Sequence, residues 1–183
     1  RALEQLVNSH KVRLHDGQYR IPTPAEDDWE ITRASIQANP GDINRLHTEI
    51  VIGLWEPKPN QNLEDAKTFK AGLTFNGRTV VEGDIRFNLS FTEAGDDFVT
   101  RSAEARRRSQ EDTIEVFWVA SLDDHIERVT VEMHRSKEMI SRKERGARTK
   151  DETALVFEEK KRLNGHQDDL KRKFRESMLA GAI

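Results

Sequence analysis

The chain has 183 residues, 35% of them hydrophobic and 34% charged, a mean hydropathy of -0.79, and a formal net charge of -3 from 30 basic and 33 acidic side chains. Near-balance of charge excludes a global pull toward nucleic acid or a membrane surface and leaves only local patches, and no apolar run approaches the roughly 18–20 residues of a membrane span. With no cysteine there is no disulfide, no thiolate nucleophile and no cysteine-based zinc site.

So wet a composition suits long, mostly exposed helices around a modest core, and the expected compartment is a reducing cytoplasm. The chain opens at Arg1 inside a helical pattern and stops at Leu179-Ala180-Gly181-Ala182-Ile183. We read it as a segment of a longer protein.

In chain order, Leu3, Leu6 and Val7 fall at helical spacing. Val12 and Leu14 then alternate toward a His15-Asp16-Gly17 turn, and Gln18-Tyr19-Arg20-Ile21 returns as a second strand ended by Pro22. A helix followed by a two-stranded wing resembles the last third of a winged helix, and a protein-facing wing is the preferred reading over a DNA-reading one.

Thr23-Pro24-Ala25-Glu26 starts a helix: a threonine cap, proline at the first position, and acids in the first turn. Trp29, Ile31 or Ala34, and Ile36 supply its buried face. Asn39-Pro40-Gly41 stops it, and Asp42 caps a helix carrying Ile43, Leu46, Ile50, Val51, Leu54 and Trp55. Pro57-Lys58-Pro59-Asn60 reads as a loop.

Residues 68–91 read as β. Phe69, Ala71, Leu73 and Phe75 alternate up to Asn76-Gly77, a strong hairpin signal. Thr79 and Val81 follow, Gly83 reads as a bulge, and Ile85, Phe87, Leu89 and Phe91 alternate again. The opposite face carries Lys70, Asp84, Arg86 and Asn88, so this sheet must be covered on one side. Gly95-Asp96-Asp97 turns into a polar helix over residues 97–110.

Val116, Phe117, Trp118 and Val119 form the continuous apolar run of a buried strand. It turns directly into a helix, with Ser121 and Asp124 as a capping-box variant. Leu122, Ile126, Val129, Met133 and Ile140 then form a coiled-coil seam. The seam breaks at Arg145-Gly146-Ala147-Arg148-Thr149 and restarts at Thr149-Lys150-Asp151-Glu152. Val156, Leu163, Leu170 and Phe174 continue it, with Met178 beyond.

The expected fold class is α/β (α+β): a small sheet with a hairpin and covering helices, plus a C-terminal antiparallel helical hairpin. The expected divisions are 1–23, the end of a winged-helix-like element; 24–120, an α/β body; and 121–183, the coiled-coil-like arm.

Chemistry is sparse. GxxxxGK[ST], GxGxxG and GxSxG are all missing from the sequence. The six histidines, His10, His15, His47, His125, His134 and His166, show no HxxxH or HExxH pairing and read as solvated surface residues rather than ligands. Asp123-Asp124 stand at a strand end, where a Walker-B acid would hold Mg²⁺, yet the first turn of a helix favours Asp for electrostatic reasons alone, and capping is the preferred reading. No catalytic, cofactor-binding or metal residue is assigned.

Basic clusters are the remaining candidates. Arg106-Arg107-Arg108 sits on the polar helix, and Lys160-Lys161-Arg162 and Lys171-Arg172-Lys173 decorate the last one. Lys137, Arg142, Lys143, Arg145, Arg148 and Lys150 gather at the hairpin tip against Glu138 and Glu144, as a candidate nucleic-acid contact. The competing reading is a solvated turn with cations at a helix C-terminus, and no aromatic side chain is interleaved to stack on bases.

The order of these pieces resembles a known family. A winged-helix end closes with Tyr19-Arg20-Ile21-Pro22-Thr23-Pro24-Ala25-Glu26 ahead of an acidic helix with Trp29. A β-hairpin region follows, then VFWVASLDDHIERVTVEMHRSKEMI and a charged helical hairpin. Together they resemble the middle region of the very large P-loop ATPases of the BrxC and PglY family, from BREX and phage growth limitation defence systems. Phe117-Trp118-Val119 and Arg135-Ser136-Lys137-Glu138-Met139-Ile140 carry most of the likeness.

The family's ATP-binding module lies N-terminal to this region. The resemblance therefore implies a segment that is not itself an enzyme and holds no cofactor. It implies a scaffold linking the motor to other defence-system proteins or to the oligomer, with a DNA-contacting module at the hairpin tip as the alternative and no membrane partner.

Overall fold

The computed structural model describes residues 12–15, 18–64, 67–93, 95–111, 114–147 and 149–183. The opening helix expected from Leu3, Leu6 and Val7, and with it His10, lies outside them, as do Asp16, Gly17 and Arg148. The described residues form seven strands and five helices in a mixed α/β fold. They divide into two compact units, each holding part of both long C-terminal helices. This division by packing is a different cut from one at 23/24 and 120/121.

The first unit holds the described residues up to Ala38 together with Met133–Asn164. It opens with the expected hairpin, β1 (Arg13–His15) against β2 (Gln18–Arg20), antiparallel with Leu14 opposite Tyr19. Helix α1 (Pro24–Ser35) starts as its sequence demands: Thr23 Oγ1 accepts from the Glu26 N–H, and Glu26 returns a carboxylate oxygen to the Thr23 N–H at 2.7 Å. Trp29 and Ile36 are buried as expected, but Ile31 and Ala34 are exposed and Arg33 is buried instead. The second half of α4 (Asp124–Lys143) and the first half of α5 (Lys150–Leu179) complete the unit. Met139, Leu155 and Val156 join Trp29 and Ile36 in its core.

The second unit holds Asn39–Glu132 and Gly165–Ile183. Helix α2 (Pro40–Leu54) begins earlier than expected: Asn39, not Asp42, is the cap, with Asp42 closing the reciprocal bond from the third helical position. Pro40 explains the shift, because proline fits the first helical position and needs no N–H partner there. Asn39→Ala should lower stability by about 1 kcal/mol in a urea titration.

The 57–60 loop ends one residue sooner than expected: Asn60 and the three residues after it, for which the sequence predicts no strand, form β3 (Asn60–Leu63), antiparallel to the start of β4 (Lys67–Phe75). Strands β4 and β5 (Arg78–Val81) make the hairpin that Asn76-Gly77 predicts, with φ of 46° and 79° at the two turn residues. The bulge lies between Leu73 and Thr74 rather than at Gly83. Gly83 has another role. A Cβ there would sit 2.1 Å from the Gly72 backbone nitrogen, so glycine is what lets the chain cross against β4. That crossing leads into β6 (Ile85–Glu93), which runs parallel to β4. Helix α3 (Asp96–Glu111) then carries the chain to β7 (Glu115–Leu122), parallel to β6, and the path across the sheet is β3-β4-β6-β7.

Register-paired residues share a face in parallel strands, and this separates two chemistries. One face carries Leu73, Phe75, Leu89, Phe91, Trp118 and Ala120; the other carries Thr74, Arg86, Asn88, Glu115 and Phe117. On the apolar side Phe75, Phe91, Phe174 and His47 form a chain of edge-to-face rings, with centroids 4.9–5.7 Å apart. Leu46, Ile126 and Leu170 are wholly buried in the same unit.

Ser121 is still in β7, so the expected Ser121–Asp124 box does not form. Asp123 caps α4 instead, its Oδ1 accepting from the Ile126 N–H at 2.9 Å. The antiparallel hairpin expected of α4 and α5 is present: Ser136 meets Glu159 and, nearer the helix start, His125 meets Asp169.

Candidate functional site

Three places follow from the chemistry-bearing residues: the basic tip, the ends of the parallel strands, and a buried carboxylate that periodicity passed over.

At the tip, Lys137 is half-buried on α4. Arg142 pairs with Glu138 at 3.3 Å, as helix neighbours four apart do. Arg142 and Lys143 line a cavity of about 180 Å³ together with Asp28, Trp29 and Glu152, so two acids face them there. Arg145 and Lys150 are exposed, and Arg148 lies outside the described residues. Thr149 and Glu152 form a reciprocal capping box that restarts α5 where the sequence places it.

At the carboxyl ends of β6 and β7 an open groove of about 1160 Å³ is bordered by Glu93, Asp123, Asp124, His125, Lys173 and Glu176. Open α/β sheets place ligands at such ends, but four of these side chains already have partners. Asp123 caps α4. His125 Nε2 lies 2.7 Å from Asp169 Oδ2, and Lys173 pairs with Glu176 at 3.2 Å. The hydrogen bond from His125, helped by Arg172, holds the Asp169 carboxyl below its ordinary range. Among the described residues no three His, Asp or Glu side chains converge on a point.

Two histidines depart from the solvated reading. His134 is buried in the first unit and His47 in the second. The His47 ring lies edge-on to Phe174, with Nε2 3.0 Å from Thr130 Oγ1. Because that hydroxyl donates to the Ile126 carbonyl at 2.7 Å, it accepts from His47. Burial lowers the His47 pKa to about 4, so the ring is neutral near pH 7.

The most concentrated electrostatics surround Glu159, which is 1% exposed. Its carboxylate accepts from Trp29 Nε1 at 3.0 Å, Arg33 Nε at 2.9 Å, Ser136 Oγ at 2.6 Å and Arg162 at 3.3 Å. Arg162 reaches on to Glu30 at 2.9 Å. Burial raises the Glu159 carboxyl, but hydrogen bonds from Ser136, Trp29 and Arg33, with the charge of Arg33, bring it below its ordinary range. One carboxylate thereby ties α1 to both helices of the hairpin.

A signal for this site was present in the sequence. The expected seams step from Met133 to Ile140 and from Val156 to Leu163. Each step of seven skips an inward slot, and Ser136 and Glu159 fill those two slots. Two polar residues at the same level of two seams mark a buried polar contact, which counting only apolar positions leaves out.

Compared with protein-family models, with curated proteins and with solved structures, the chain matches none.

Proposed function

We propose that this chain is a non-catalytic scaffold and interaction segment of a BREX-type phage-defence ATPase, linking the motor to partner proteins or to the oligomer. The observation that carries the reading is the Glu159 lock. A helical hairpin clamped to a third helix by a buried ion pair and an indole hydrogen bond is a stiff arm, suited to holding or transmitting position. The acids that looked most like a Mg²⁺ site also serve the fold, Asp123 by capping α4 and Asp124 in its first turn.

Arg145 and Lys150, exposed at the tip, favour the second reading, a DNA-contacting module. Anisotropy with a fluorescent duplex at low and near-physiological salt separates the two. The scaffold reading expects no salt-steep binding, and no ATP turnover by the chain alone. Binding that falls steeply with salt, and is abolished by joint charge reversal of Arg142, Lys143 and Arg145, would replace it with the DNA-contacting reading. ATP turnover by the purified chain would overturn both.

A further inference from the structure

The polar face of the sheet, where α3 packs over β6 and β7, encloses a cavity of about 690 Å³. That volume is in the range of small-molecule sites. Its floor is made by alternation: Thr74, Asn88 and Phe117 share this face in register. Glu115 binds Arg86 and accepts from Asn88 Nδ2 at 2.7 Å, so the far end of the floor is neutralised within itself.

The α3 side is not neutralised to the same degree. Arg101 stands 3.9 Å from Glu104, both well exposed, and makes a weak pair at best. Arg108 lies over the Phe117 ring at 4.6 Å and forms no ion pair among the described residues. The two arginines are seven residues apart, hence on one helix face and about 10 Å apart along the axis. An independent feature points into the same space. Thr74 lines the cavity, is 8% exposed, and its Oγ1 has no hydrogen-bond partner among the described residues. A buried hydroxyl left so forfeits a bond, and because its oxygen has almost no surface open to solvent, a ligand gains that bond only by parting the side chains over it.

We propose that this cavity binds a small organic phosphate with two anionic groups, laid along α3. Arg101 and Arg108 each take one anionic end, and Thr74 and Asn88 meet the polar carbon skeleton between them. Guanidinium forks favour phosphate oxygens, and the span between the two cations selects a ligand with two separated phosphates over a single compact anion. The site is distinct from the Glu159 lock and from the basic tip, and stands or falls apart from the scaffold reading.

The test is calorimetric titration of the whole chain with fructose 1,6-bisphosphate, and separately with inorganic phosphate. The bisphosphate should bind roughly tenfold more tightly than phosphate, and R101E and R108E should each weaken it roughly tenfold. Both arginines are on the surface, and circular dichroism would confirm that the variants fold. T74V should weaken binding roughly threefold while leaving the urea midpoint unchanged or raised, since it removes an unpartnered hydroxyl. Three results would overturn the proposal: no heat from wild type with the bisphosphate at millimolar concentration, equal affinity for both anions, or undiminished binding in R101E and R108E.

Discussion

Glu159→Ala is expected to lower the stability of the first unit by about 3–5 kcal/mol, the usual cost of removing one partner from a buried ion pair. The carboxylate is almost fully buried, and the Arg33 side chain that faces it is 10% exposed. The substitution takes away the counter-charge of Arg33 and the acceptor of the Trp29 indole and the Ser136 hydroxyl together. Urea denaturation followed by tryptophan fluorescence would report it, because Trp29 is itself part of the network. The double variant Arg33→Leu with Glu159→Leu should lose much less than the single one, since it leaves no buried charge behind. A double variant as unstable as Glu159→Ala would show that packing, not charge, explains the loss. The pH dependence has a definite sign. A carboxyl held below its ordinary pKa adds stability above that value and loses it as pH falls through the folded one.

Acid should weaken the second unit before it touches Glu159. His47 titrates near 6.5 when unfolded and at about 4 when folded. The unfolded chain therefore takes up a proton first, and the contribution present above the unfolded value drains away as pH falls from about 6.5 to about 4. A shift of that size corresponds to about 3 kcal/mol at full effect. The cause is burial beside Phe174; the Thr130 hydroxyl accepts from Nε2–H in either protonation state and does not oppose charging. Urea midpoints at about pH 7.5 and about pH 4.5 should differ strongly in wild type and much less in His47→Gln, which keeps a donor for Thr130. If His47→Gln retains the full difference, another group is the acid-sensitive one.

Local rules were legible wherever the information lies within a few residues. Thr23-Pro24 with Glu26, and Thr149 with Glu152, specify their helix starts because cap and acceptor are three residues apart. Asn76-Gly77 specifies its hairpin because both positions need positive φ. The same local logic misplaced two caps by a short step. Asn39 and Asp123 compete with Asp42 and Ser121 for one role, and the geometry of the preceding proline or strand decides between them.

Of the candidate sites, the basic tip was visible as composition, but its electrostatics were not. Glu138 is close in sequence and could be foreseen as a partner of Arg142, whereas Asp28 reaches the tip cavity only through folding.

By itself, then, the sequence determined the α/β character, the apolar strand β7, the two seamed helices and their basic turn. Each is written as a period or a cap, and periodicity is a property of one segment. Tertiary structure alone decided that β6 lies parallel to both β4 and β7, because that pairing depends on a backbone crossing at Gly72 and Gly83 and on helix α3 (Asp96–Glu111) between the two strands. It alone decided that Arg33 and Glu159, 126 residues apart, share one buried charge pair. A charge is tolerated in a core only when its partner arrives from elsewhere in the chain, and no local pattern records that arrival.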